Sequence, residues 1–95
     1  MTALAHTQKD RKKLLARISR IRGQVEAIER ALGDEQDCAA VLQTIAACRG
    51  AINGLMAEVM EGHIREHILG PPSKPTPTQQ EAAEDVIGLI RSYLK

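Results

Sequence analysis

Ninety-five residues with 43% hydrophobic content make one folded domain, 1–95, and exclude both a two-domain chain and a disordered one. The aromatic content is Tyr93 alone, so the core must be built from Leu, Ile, Val, Met and Ala, the palette of packed helices, which argues against a sheet-rich fold. The net charge of +1 draws the whole chain to no partner, but its distribution is uneven: seven basic residues fall between Lys9 and Arg22 against one acid, Asp10.

From Leu14 the apolar residues fall at Leu14, Ile18, Ile21, Val25, Ile28 and Leu32, a spacing that predicts a long amphipathic helix. Thr7 can cap its start with Asp10 three residues on, Gly33 marks its end, and Asp34, Glu35 and Gln36 form the turn. The basic cluster then reads either as a solvated face opposite the seam or as a face for a polyanion. A second seam through Cys38, Val41, Ile45, Cys48, Ile52, Leu55 and Val59 predicts a helix from about Asp37 to Leu69, with Leu42, Met56, Met60, His63 and His67 along its flank. At ~1.5 Å per residue this rod is roughly 45–50 Å long, more than a chain of this size can shield by folding back once. Self-association is therefore expected.

Gly50 and Gly54 place small residues in the middle of that rod, where another helix backbone can approach closely. Gly70-Pro71-Pro72 stops it, and Lys74 to Pro77 continues as an extended link. Thr78, with Glu81 three residues on, is the expected cap of a short third helix whose apolar face is Ala83, Val86, Ile87, Ile90 and Leu94. Two cysteines are too few for a secreted disulfide framework, and neither a leader nor a membrane-spanning apolar run is read in the chain. The expectation is a cytoplasmic protein with reduced thiols and no membrane contact.

Imidazole and thiolate side chains bind borderline transition metals, and His6, Cys38, His63 and His67 are the candidates. His63 and His67, four apart on a helix, project from one face and can chelate one ion, or they can be two polar residues near a helix end. Cys38 lies 25 residues before His63, ~37 Å along the same rod, so one protomer cannot bring them together. Two copies crossing antiparallel can. Pairing Cys38 with the midpoint of His63 and His67 puts the symmetry centre near residues 51 and 52, inside the Gly50 to Gly54 stretch, and gives two Cys-His-His sites per dimer. Cys48, Met56 and Met60 read as core rather than ligands.

The segments Leu15 to Val25, Cys38 to Ala47, Arg49 to Met56 and His63 to His67 resemble the CsoR/RcnR family of bacterial metal- and aldehyde-sensing transcriptional repressors. The resemblance implies an all-α protomer of two long helices and one short C-terminal helix. It also implies an antiparallel helical-bundle dimer and a disc-shaped dimer-of-dimers tetramer that binds double-stranded operator DNA on flat basic faces. Copper-sensing members carry Cys four residues after the second-helix His; this chain has His67 there, which resembles the nickel- and cobalt-responsive branch. That branch also uses an N-terminal His, matched here by His6. Formaldehyde-responsive members carry Pro as second residue to react with the Cys; this chain has Thr2, which argues against that chemistry. Arg17 and Arg20 match DNA-binding positions of the first helix, and Arg49 a basic position of the second.

The expected function is a repressor that binds operator DNA in the apo state and is released by Ni(II) or Co(II), with Zn(II) a further candidate, at an intersubunit site. The alternatives are a formaldehyde-responsive repressor with Cys38 as nucleophile, and a helical oligomerisation adaptor that binds no DNA. No enzyme is expected, because two uninterrupted helices offer no loop for an oxyanion hole or a concave pocket.

Overall fold

A computed structural model describes residues 8–70 and 74–94. The described residues form three α-helices and no strand: α1 (Gln8–Gly33), α2 (Cys38–His63), which runs on through a π-helical turn (Ile64–Ile68), and α3 (Pro77–Tyr93). Helices α1 and α2 form an antiparallel hairpin, and α3 packs on the C-terminal part of α2. The expected cap Thr7 lies outside the described residues.

The exit from α1 shows how the hairpin closes. Gln36 N–H donates to the Ala31 carbonyl at 3.1 Å and Glu35 N–H to the Leu32 carbonyl at 3.3 Å, the paired bonds of a Schellman turn. The left-handed residue that such a turn requires is Glu35, at φ 52°, and not Gly33, which remains inside the helix. Asp37 then caps α2, its carboxylate accepting from the Ala40 N–H at 2.8 Å.

The seam of α1 divides between two faces. Leu14, Ile21 and Ile28 are half-buried against α2, joined there by Arg17, Gln24 and the buried Ala31, whereas Ile18, Val25 and Leu32 are exposed. A row spaced at 3.5 residues straddles the boundary of a 3.6-residue helix face, so only part of it meets any one neighbour. On α2, Cys48 and Ala57 are buried, while Leu42, Ile45, Ile52, Met56 and Met60 form an uncovered apolar stripe. Met56 and Met60 are thus not core within a single protomer.

Helix α2 is not regular to Leu69 as its periodicity suggests. The Leu69 N–H donates to the Ile64 carbonyl, five residues back, at 3.0 Å, and the wider turn ends at Gly70, where a Cβ would collide with the Glu66 carbonyl. The cap of α3 lies two residues before the expected Thr78. Thr76 and Gln79 form the reciprocal capping box, with Gln79 N–H donating to the Thr76 hydroxyl at 3.1 Å, because Pro77 suits the first helical position and fixes the start there. Ile87 is the buried residue of α3, flanked by half-buried Ala83, Ile90 and Leu94. Arg65 of the π-helical turn pairs with Glu84 at 2.7 Å, and Arg91 of α3 pairs with Glu61 of α2.

The molecule is elongated, 56 × 26 × 18 Å, with a radius of gyration of 17.3 Å where a compact chain of this length has about 12 Å. Its accessible surface is 7237 Å², against roughly 5,400 Å² for a folded monomer of this mass. Contrary to the expectation that the chain contains no membrane-length apolar run, Cys38–Ile68 is long and apolar enough to cross a membrane by length and composition, with a mean hydropathy of 1.2 over its most apolar window. In the fold, however, α1 and α3 pack on it, and it carries Glu58, Glu61 and Arg65 in ion pairs across those contacts.

Candidate metal centre and cationic face

The candidate metal ligands sit at the two ends of α2. Cys38 is its first residue, exposed and with a free thiol, set beside the Asp37 cap that starts the helix. His63 closes the α-helical part and His67 lies in the π-helical turn; both are exposed, with ring centroids 5.1 Å apart and planes tilted by 44°. The two imidazoles are therefore brought together, and Cys38 is not. No group of three or more His, Cys, Asp or Glu side chains able to hold a metal occurs among the described residues of one chain. His6 lies outside the described residues. Cys48 is 5% exposed on the α1-facing side of α2, a packing residue as its position in the seam suggests.

Two imidazoles alone hold a borderline divalent ion weakly, and a thiolate third ligand would complete a set suited to Ni(II), Co(II) or Zn(II). The same thiol can alternatively add to an electrophile without any further ligand.

The basic residues cluster on the first half of α1, spread around its exposed sides. Arg11, Lys12, Arg20 and Arg22 are exposed along it, and Arg49 is exposed on α2. Arg17 is placed differently. Its guanidinium reaches across to α2, where Nε donates to Glu58 Oε2 at 2.9 Å and a terminal nitrogen approaches Oε1 at 3.4 Å. Lys13, one turn earlier, pairs with the same carboxylate at 3.3 Å. Glu58 keeps only 17% of its side chain exposed. Burial alone would push its carboxyl up, but the hydrogen bonds from Arg17 and Lys13, with their charges, hold it below its ordinary 4.5. Gly54, one turn before Glu58, makes room for the guanidinium: a Cβ there would stand 2.9 Å from Arg17 Nη1.

Glu58 is the residue of this face that periodicity did not single out. A signal was available, because Arg17 falls in the row Leu14, Arg17, Ile21 that faces α2, so a charge there requires an acid on the facing helix. Gly54 likewise serves a contact within the chain, whereas a Cβ at Gly50 would meet nothing within 4 Å.

Residues 10–92 match the family described as metal-sensitive transcriptional repressors. The transcriptional repressor RcnR of Citrobacter koseri is 45% identical over 92 residues, 97% of this chain and 100% of the relative. The uncharacterised protein of the bioA 5′ region of Serratia marcescens is 53% identical over the same share of both. Among solved structures, a Glu-to-His variant of the formaldehyde-responsive regulator FrmR from Salmonella enterica serovar Typhimurium superposes with a TM-score of 0.66. It is 48% identical, over 93% of this chain and 98% of that one.

Proposed function

Because this chain belongs to the family of metal-sensitive transcriptional repressors, regulators and not enzymes, we propose that it holds operator DNA in its effector-free state and leaves it when an effector engages Cys38. The observation that carries this reading is the cluster of exposed basic residues on the first half of α1, in a chain matched to the family from residue 10 to 92. Arg17, Arg20 and Arg49 are the residues proposed to meet the duplex, neutralising phosphates from a flat helical surface. The same reading places the protein with its DNA in the reducing cytoplasm, where Cys38 stays a free thiol.

Two effectors fit Cys38. The comparisons favour an aldehyde, since the 48% identical regulator is formaldehyde-responsive and the exposed thiol can react within one protomer. Its thiolate would add to the carbonyl carbon while the oxygen takes up a proton, giving a hydroxymethyl thioether at Cys38. The second reading, Ni(II) or Co(II) with Zn(II) as a competitor, is favoured by the adjacent His63 and His67 rings. It requires Cys38 of one protomer to meet the histidines of its partner, with His6 as a further ligand.

That requirement agrees with an antiparallel dimer. The uncovered stripe of α2 is centred on Ile52, at the crossing point that Cys38-to-histidine pairing demands. The excess surface exceeds the ~800 Å² that one standard interface removes from each partner, which supports a dimer of dimers.

Reduced protein titrated with Co(II) and, separately, with formaldehyde distinguishes the two effectors. A thiolate-to-Co(II) charge-transfer band lost in both Cys38→Ala and His63→Ala supports the metal site. Mixing those two variants should then restore about a quarter of the sites at statistical subunit exchange, because one site of each mixed dimer holds both native parts. A formaldehyde adduct confined to Cys38, with no such band, assigns the aldehyde.

A further inference from the structure

Glu58 occupies a position that neither effector chemistry nor DNA contact explains. It lies on α2, accepts hydrogen bonds from Arg17 at 2.9 and 3.4 Å, pairs with Lys13 at 3.3 Å, and is the acid that faces the α2-side cations of α1. Gly54 lies beside this contact, where a Cβ would come 2.9 Å from Arg17 Nη1. An acid four residues after a glycine on the facing helix thus takes one cation of the proposed DNA face out of circulation and shares a second.

A phosphate oxygen and a carboxylate oxygen compete for the same guanidinium donors, because both offer the geometry a bidentate arginine prefers. We propose that Glu58 is an internal phosphate mimic that competes with operator DNA for Arg17, so that it sets the affinity of the repressor for DNA and its dependence on salt. This inference rests on the DNA reading of α1 given above. On binding, Arg17 exchanges Glu58 for a backbone phosphate while Lys13 stays with the carboxylate. The exchange leaves Glu58 satisfied by one cation and returns part of the phosphate contact energy to breaking the internal pair.

Removing the charge while keeping the shape should therefore tighten DNA binding. The test compares the full-length reduced protein with Glu58→Gln, Arg17→Ala and the double variant, using fluorescence anisotropy on a duplex selected by the parent protein, across a salt series. Glu58→Gln is expected to bind roughly 3- to 10-fold more tightly, the size of a partly screened ion pair, with a log–log salt slope steeper by up to about one per engaged protomer. The double variant should gain less over Arg17→Ala than Glu58→Gln gains over the parent, since the part routed through Arg17 is lost and only the released Lys13 can add. Unchanged or weaker binding by Glu58→Gln, with helicity intact, overturns the proposal, as does an equal gain in the Arg17→Ala background. If Glu58→Gln loses helicity, Glu58→Asp serves instead. It keeps the charge but withdraws it by one methylene from Arg17, and a gain of at least about 2-fold is then required. Failure of the underlying DNA reading looks different: Arg17→Ala, Arg20→Ala and Arg49→Ala would all bind DNA like the parent.

Discussion

Glu58 shows what a single side chain decides in this fold. An arginine on the packed face of α1 is tolerated because a carboxylate on α2 meets it and a glycine makes space for it. The pair also gives the protein an acid sensitivity with a definite sign. A carboxyl held below its ordinary 4.5 contributes stability that is present above that value and lost as pH falls through the lowered one. The stability difference between the parent and Glu58→Gln should therefore shrink as pH falls below about 4.5, measured as urea midpoints across a pH series. A difference that stays constant down to about pH 3 would mean that Glu58 contributes nothing through its charge. At the same scale the adjacency of His63 and His67 was legible in their spacing of four, and the two imidazoles do lie together. Glu58 was not, because an acid on an amphipathic helix reads as a solvent-facing charge until the facing residue is known.

Among the elements, the three helices and their order followed from apolar spacing, while their ends depended on local hydrogen bonds that spacing does not encode. The chain leaves α1 through Glu35 in a left-handed conformation, two residues after the glycine that a composition-based reading selects. Glycine adopts that conformation without the Cβ penalty, so Glu35→Gly should stabilise the protein by about 0.5–1 kcal/mol and raise Tm by a few degrees in thermal unfolding. A lower Tm would show that the Schellman turn is not the one described. At α3, Thr76 and Thr78 offer the same capping chemistry, and only Pro77 between them breaks the tie in favour of Thr76. The π-helical turn was invisible for a related reason. A sequence repeat of four fits His63 and His67 equally well, and the extra residue per turn shows itself only in the Leu69 to Ile64 bond.

For the whole molecule, the decisive quantity is uncovered surface. An elongated chain with apolar stripes on α1 and α2 and exposed Val86, Leu89 and Tyr93 on α3 has more surface than a monomer of its mass should keep. The seam on α1 carried this information in the sequence. Of its two alternating halves one packs on α2, and the other, Ile18, Val25 and Leu32, is left uncovered within the chain. Sedimentation equilibrium at micromolar concentration should find a dimer or tetramer and no stable monomer. A monodisperse monomer would remove the basis for sharing ligands between protomers.

Release from DNA through Cys38 is the property on which the proposed function turns, and one titration measures it directly. Reduced parent protein and Cys38→Ala are each bound to a duplex selected by the parent, and anisotropy is followed as formaldehyde, or separately Ni(II) and Co(II), is added. The parent should be released by one of these effectors, with a coupling of roughly 5- to 150-fold in DNA affinity, while Cys38→Ala binds the same DNA and stays bound. Release of Cys38→Ala at the same effector concentration as the parent would contradict a sensing role for this thiol.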